Sequence, residues 1–197
     1  MKQTLALFDF DGTITTKDSL IDFIRFAKGD MRTLQGMLLL SPMLAAFKLK
    51  LIPNHRAKER MLSHFFKGMP EEEFKELTRI YSLTRIEQIL RPGAMERIAQ
   101  HKAQGDRIVI VSASIECWLK PWCDSHEIEL LSTKMTVKKG RINGRFDGRN
   151  CHGREKVRRV RELLDLDDFE KIYAYGDSSG DKELLALADK RFYKPFR

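Results

Sequence analysis

The chain has 197 residues and little cysteine: three, at positions 117, 123 and 151, with no Cys-x-x-Cys pair. An odd, scattered set of this kind argues against a disulfide framework or a structural zinc site, and it fits a reducing cytoplasm. Long apolar runs are also missing. The N-terminal run meets Asp9 within a few residues, too soon for a signal-peptide core. The least charged stretch, 33–47, is interrupted by Pro42 and falls short of the roughly 20 apolar residues of a spanning helix. There is no internal repeat, low-complexity tract or disordered linker. With 42% hydrophobic and 32% charged residues the chain is neither disordered nor fibrous. Its length predicts one domain, or one domain with an insert. Basic residues exceed acidic ones to leave a net charge of +8, which favours anionic partners such as phosphate esters, nucleic acid or an acidic membrane surface.

Short bulky runs alternate with amphipathic ones. TLALFDF (4–10), DRIVIVSAS (106–114) and EKIYAYGD (170–177) read as buried strands, and KRFYKPF as a last edge strand. Lys139-Gly140 and Asn143-Gly144 suggest a hairpin excursion. Between the first two strands, residues 18–90 carry apolar side chains at spacings of three and four, punctuated by Pro53 and Pro70. Pro70 followed by three Glu is a favourable helix start. Helices should also cover GAMERIAQHKAQG, SIECWLKPWCDSHEI, HGREKVRRVRELLD and SSGDKELLALAD. Alternation of this kind predicts an α/β fold, a Rossmann-like parallel sheet flanked by helices. The helical block is too long for a crossover and reads as an inserted α-helical bundle cap at 16–91. The catalytic core would comprise 1–15 and 92–197. The stretch 33–47 reads most simply as a buried helix of that bundle, or else as an amphipathic surface meeting lipid or a greasy substrate.

Ligands of such a sheet bind beyond the carboxyl ends of its strands, and four segments place reactive residues there. Asp9-Phe10-Asp11-Gly12-Thr13 follows the first strand, and period-two alternation would set both carboxylates on one side, where they repel unless a cation or proton lies between them. Ser112-Ala113-Ser114 ends the second strand at a helix start, an arrangement for anion binding, although Ser114 would also serve as a plain helix cap. Lys156 opposes the dipole of its helix and gains if a buried anion faces it. The alternative is a solvated basic face shared with Arg154, Arg158, Arg159 and Arg161. Gly176-Asp177-Ser178-Ser179-Gly180-Asp181 puts two acids one turn apart, with glycines permitting close approach of backbone to a ligand. Acids in this excess require a cation, and oxygen-only donors suggest Mg2+.

The order DFDGT, VSAS, Lys156, GDSSGD resembles the haloacid dehalogenase superfamily of phosphohydrolases, and the helical block between the first two motifs resembles its subfamily IB. Within that subfamily the chain is similar to phosphoserine phosphatases and, through the apolar stretch, CHGREK and YGDSSGDKELL, to phosphatidylglycerophosphatase C. The resemblance implies a phosphoric monoester hydrolase in which Asp9 is the nucleophile and forms an aspartyl-phosphate. Asp11 would serve as general acid and then base. Ser112 and Lys156 would hold the phosphoryl oxygens, with Ala113 beside them. Mg2+ would bind Asp9, Asp177 and the backbone carbonyl of Asp11, with Asp181 near the metal and Lys156. Asp18 stands where phosphoserine phosphatases carry an acid for the substrate ammonium, but it is shorter than their Glu. Their carboxylate-binding Arg has only Arg56 and Arg60 as nearby counterparts, and Gly180 stands where they have Asn. These departures turn the expected substrate from phosphoserine alone toward a small-molecule or amphiphilic, lipid-like phosphate ester, with peripheral membrane contact in view.

A phosphate-accepting signalling module without turnover is the alternative. Receiver domains also use Asp, Ser or Thr, Lys and Mg2+, but they lack an inserted cap and order their acids differently. Nucleic-acid binding by the basic run 153–161 is not expected, because no aromatic residues are interleaved with it and no recognised motif is present. His152 and Cys151 read as loop-positioning residues, Trp118 and Trp122 as core, and Arg191 to Arg197 most simply as a solvated tail, or else as a contact at the site rim.

Overall fold

A computed structural model describes residues 2–197. Six strands form one sheet in the order β4-β3-β2-β1-β5-β6. β1 (Gln3–Phe8) lies between β2 (Arg107–Ile115) and β5 (Phe169–Gly176), parallel to both. β3 (Glu129–Lys138) and β6 (Lys190–Tyr193) extend the parallel set outward, and β4 (Arg141–Asp147) returns antiparallel on β3 as the expected hairpin. The strands read as unbroken apolar runs because both faces are covered. Ala6, Phe8, Ile108 and Ile110 enter one buried cluster. Leu5, Leu7, Val109 and Val111 enter the other, with Val160 and Leu164.

Between β1 and β2 come α1 (Ser19–Lys28), α2 (Asp30–Leu39), α3 (Ser41–Lys48), α4 (Asn54–Phe66), α5 (Glu71–Thr84) and, after a 3-10 turn, α6 (Pro92–Ala103). Asp18 starts α1 by accepting from Leu20 N and Ile21 N, and Pro70 stands as N-cap of α5 before its three Glu. The chain enters and leaves the helical insert through a paired neck. Thr16 N donates to Ile89 O (2.7 Å), Arg91 N donates to Ile14 O (2.8 Å), and Thr15 bridges Leu90. The insert joins the sheet layer through aromatics. The Phe23 ring stacks on Trp118 at 5.0 Å and on Phe66 at 5.1 Å, and meets Tyr81 edge-on at 5.2 Å.

The remaining helices are α7 (Glu116–Ser125), α8 (Arg154–Leu163) and α9 (Lys182–Ala186). Trp118 and Trp122 are core, as expected. The last predicted helix is shorter than its apolar pattern: a 3-10 turn at Ser179–Asp181 precedes α9 because Asp181 folds back in a capping box on Ser178. The stretch 33–47 divides into α2 and α3 and is not a buried bundle helix. Only Thr33 and Gly36 of α2 are buried, and α3 buries none of its residues. None of the described helices is long and apolar enough to cross a membrane.

Candidate active site

Asp9 follows the last residue of the central strand, which places it on the floor of a cavity of about 440 Å³ at the carboxyl end of the sheet. The anion-binding residues come from the neighbouring strand ends. Ser112 lies near the end of β2, while Asp177 follows β5 and Asp181 closes the 3-10 turn after it. Lys156 enters from the first turn of α8. Lys156 is 1% exposed, and its ammonium donates to Asp9 Oδ1 at 2.5 Å and to Asp181 Oδ1 at 2.7 Å. The buried anion that would justify a lysine at a helix N-terminus is therefore present, and the solvated-face reading of Lys156 is not met. Burial alone would lower the Lys156 pKa, but Asp9 and Asp181 outweigh it and hold the ammonium above its ordinary value.

Carboxylate oxygens of Asp9, Asp177 and Asp181 lie within 4.8 Å of one another. The three acids differ in what remains free. Asp181 is saturated: besides Lys156 it accepts from Ser178 N (3.0 Å), Ser178 Oγ (2.8 Å) and Asp177 N (3.2 Å). Burial raises its pKa, but Lys156 and the Ser178 hydrogen bonds together more than compensate and leave it lowered. Asp9 is pushed up to about 7, mainly by burial and then by Asp181 and Asp11, against the pull of Lys156. Burial and Asp181 also raise Asp177. Acids raised in this way are short of positive charge, and Asp177 takes some from the guanidinium of Arg197, which hydrogen-bonds it. The tail residue read most simply as solvated is thus a cation at the site. A hard divalent ion fits the same oxygen donors. Gly12 keeps the approach open: at φ +77° any Cβ there would stand 2.5 Å from Asp177 Oδ2.

Asp11 departs from its expected geometry. β1 ends at Phe8, so the strand alternation that would pair Asp11 with Asp9 does not reach it. Its carboxylate turns instead toward the insert, accepting from Ser19 N (2.8 Å) and from the hydroxyl of Ser114. Ser114 is therefore not a helix cap. Its hydroxyl also meets Ser19 Oγ at 2.9 Å, and Trp118 Nε1 donates to the same Ser19 Oγ at 3.2 Å. The Asp11 pKa is raised by burial and by Asp18, and Lys58, Ser114 and Ser19 restrain the rise. A carboxyl with a raised pKa at a cavity wall is suited to carrying a proton.

The other nominated residues separate. Ser112, 1% exposed, and Ala113 line the cavity, and Ser112 Oγ accepts from Ser114 N at 3.1 Å. Asp18 also lines it, with Oδ1 committed to capping α1. Arg56 and Arg60 are exposed and outside the lining, whereas Asn54 and Lys58 of the same helix are inside it. Lys58 Nζ donates to Ala113 O at 3.2 Å. Helical phase decides this outcome: two residues along α4 is a rotation of about 200°, so the Lys between two Arg faces the opposite way. Arg91 was equally unforeseen in the lining. Its signal was its place where the chain leaves the helical insert, with Nε donating to Thr15 O at 3.0 Å. Cys151 is buried, with its thiol pushed up to about 11, and is no nucleophile at neutral pH.

The sequence profile of the haloacid dehalogenase-like hydrolases matches residues 6–186. The chain is 36% identical over 197 residues to protein CicA of Caulobacter vibrioides, an alignment covering 98% of this chain and 86% of that protein. It is 30% identical over 193 residues to a probable phosphatase of Mycobacterium tuberculosis, covering 93% of this chain and 66% of that one. A substrate-bound phosphoserine phosphatase has the same fold, with a TM-score of 0.67 and 18% identity over 98% of this chain and 86% of that chain.

Proposed function

The chain belongs to the haloacid dehalogenase-like hydrolase family, and on that premise we propose that it is a Mg2+-dependent phosphomonoesterase working through a phosphorylated Asp9. The observation that carries this reading is the division of labour among the acids. Asp9 is buried beside one ammonium and two further carboxylates, while Asp11 stands apart with its own hydrogen bonds and a raised pKa. One acid is arranged to be neutralised and to attack, the other to move a proton.

In the first displacement an Asp9 carboxylate oxygen forms a bond to phosphorus as the bond from phosphorus to the alcohol oxygen breaks, and Asp11 gives its proton to the departing alkoxide. In the second, Asp11 takes a proton from a water molecule whose oxygen attacks phosphorus. The Asp9–phosphorus bond then breaks, releasing inorganic phosphate and restoring the carboxylate. Ser112 and Lys156 hold the equatorial oxygens throughout. Asp9, Asp177 and the Asp11 carbonyl would hold the Mg2+, which when bound neutralises charge between nucleophile and phosphate. Asp181 fixes Lys156 and takes no part in bond making.

The segment 16–91 acts as a cap over the core formed by 1–15 and 92–197, and it reads the leaving group through Lys17, Asp18, Asn54 and Lys58. The one cap guanidinium in the lining is that of Arg91, at the neck and donating to Thr15 O, while Arg56 and Arg60 stay outside, and one oxygen of Asp18 is already used in capping. The reading therefore extends to small or amphiphilic phosphate esters.

Hydrolysis of an aryl phosphate with and without EDTA tests the reaction. Activity lost to EDTA, restored by Mg2+ and absent in Asp9→Asn is expected. Metal-independent turnover would reject the mechanism, and a stable phospho-adduct without turnover would make the chain a phosphate-accepting module. A panel of phosphoserine, sugar phosphates and phosphatidylglycerophosphate separates the substrates.

A further inference from the structure

The helical insert carries an apolar surface that no described residue covers. On α2, Met31, Leu34 and Leu38 recur at i, i+3 and i+7 and are 69%, 55% and 64% exposed, with Leu39 beside them. Leu49 and Leu51, in the loop from α3 into α4, continue the surface. The exposure is enforced by the opposite face of the helix. Thr33 and Gly36 are buried there, and a Cβ on Gly36 would stand 2.3 Å from the Phe65 ring. The inward face of α2 is Thr33, Gly36 and the half-buried Met37, and at Gly36 it runs so close to Phe65 that the helix cannot roll its exposed leucines inward without driving a side chain into that ring.

Charge identifies what covers this surface. No Asp or Glu occurs between Asp30 and Glu59, while Arg32, Lys48 and Lys50 are exposed on and around the patch. An apolar stripe on short helices whose rim is basic apart from Asp30, which Arg25 pairs at 2.7 Å, is the pattern of an element lying in a membrane interface. A second copy of the chain is the poorer match, because an isologous contact would set these cations against their equivalents. We propose that the α2–α3 face docks on an anionic phospholipid bilayer, with Leu34, Leu38 and Leu39 entering the headgroup boundary and Arg32, Lys48 and Lys50 meeting lipid phosphates. The loop from α3 leads directly into Asn54 and Lys58 of α4, so the docked face adjoins the wall of the cavity. Docking itself rests on neither Asp9 nor a metal.

The test is flotation with vesicles of pure phosphatidylcholine and with vesicles of equal phosphatidylcholine and phosphatidylglycerol, at low and high salt. The wild-type chain is expected to float with the anionic vesicles about tenfold or more better than with the neutral ones, and less at high salt. Combined Leu34→Ser, Leu38→Ser and Leu39→Ser should abolish flotation. Combined Arg32→Gln, Lys48→Gln and Lys50→Gln should remove the preference for anionic lipid. Both variants should keep the wild-type circular dichroism and aryl phosphatase rate. A wild-type chain that stays with the soluble fraction overturns the proposal, as does a serine variant that floats normally. So does a lipid-free dimer, seen by light scattering, that the serine changes dissolve.

Discussion

Lys156→Met exposes the electrostatic design of the site most directly. The substitution keeps an unbranched apolar stem of similar reach and removes the one ammonium that Asp9 and Asp181 share at 2.5 and 2.7 Å, with all three side chains less than a tenth exposed. Breaking a buried ion pair from one side costs about 3–5 kcal/mol, since the remaining charge is left unpaired. At about 2–4 °C per kcal/mol for a chain of this size, the metal-free variant should melt roughly 6–20 °C below the wild type. The sign of the pH dependence follows. Without the ammonium, the buried Asp9 carboxyl is raised further above its unfolded value, so the stability of its protonated form is present in acid and lost as pH rises through the folded value. The deficit should therefore be larger at pH 8 than at pH 5. Adding Asp9→Asn removes one of the two stranded charges and should recover about 1–3 kcal/mol. Urea unfolding in EDTA at both pH values measures all of this. A single variant within about 1 kcal/mol of wild type at pH 8, or a double variant no better than the single, would refute the account of a buried triad sharing one charge.

Asp9→Asn should lower aryl phosphatase activity by about 10⁴-fold or more while leaving the fold intact, as steady-state kinetics and circular dichroism would register. Ser114→Ala takes away a hydrogen bond that restrains the Asp11 pKa, so that pKa rises further. If Asp11 is the general acid, the alkaline limb of the kcat profile moves to higher pH, and an unmoved limb would separate Ser114 from proton transfer. Glu155, held down to about 2 chiefly by Arg158, with Arg159 adding at 3.1 Å, gives stability that is full above pH 4.5 and fades as pH falls toward 2. Glu155→Gln should accordingly cost about 1–3 kcal/mol at pH 7 and nearly nothing at pH 2.5 in denaturant titrations. Lys58→Met should raise KM for the better esters of a substrate panel more than it lowers kcat, because Lys58 lines the wall with its ammonium on Ala113 O and not on Asp9 or Asp181.

What sequence could reveal was fixed by how local each determinant is. The sheet was legible because its strands are covered on both faces, so Leu5 to Phe8 and Val109 to Val111 read as unbroken apolar runs without reference to any partner. The convergence of Asp9, Ser112 and Asp177 was legible for a related reason, whereas Lys156, on a helix start among four arginines, was singled out only by the family resemblance. In a parallel sheet every strand delivers its carboxyl end to one edge, so chain order and strand position suffice. Residues whose direction depends on packing were not legible. Asp11 lies just past the strand, where period two no longer holds, and its carboxylate follows Ser19 and Ser114, which are far apart in sequence. Lys58 and its flanking arginines are alike in charge, and only the phase of α4 against the core decides which of them meets the cavity. The same limit explains 33–47. Counting apolar residues predicted burial, but burial of α2 is decided by shape at Gly36 and Phe65, where no Cβ fits, so that Leu34, Leu38 and Leu39 are left outside. Composition therefore misplaced the stretch in the core, while the complete absence of acids across it, which is also visible in sequence, was the informative signal. Hydrophobicity says that a face must be covered; charge pattern says by what.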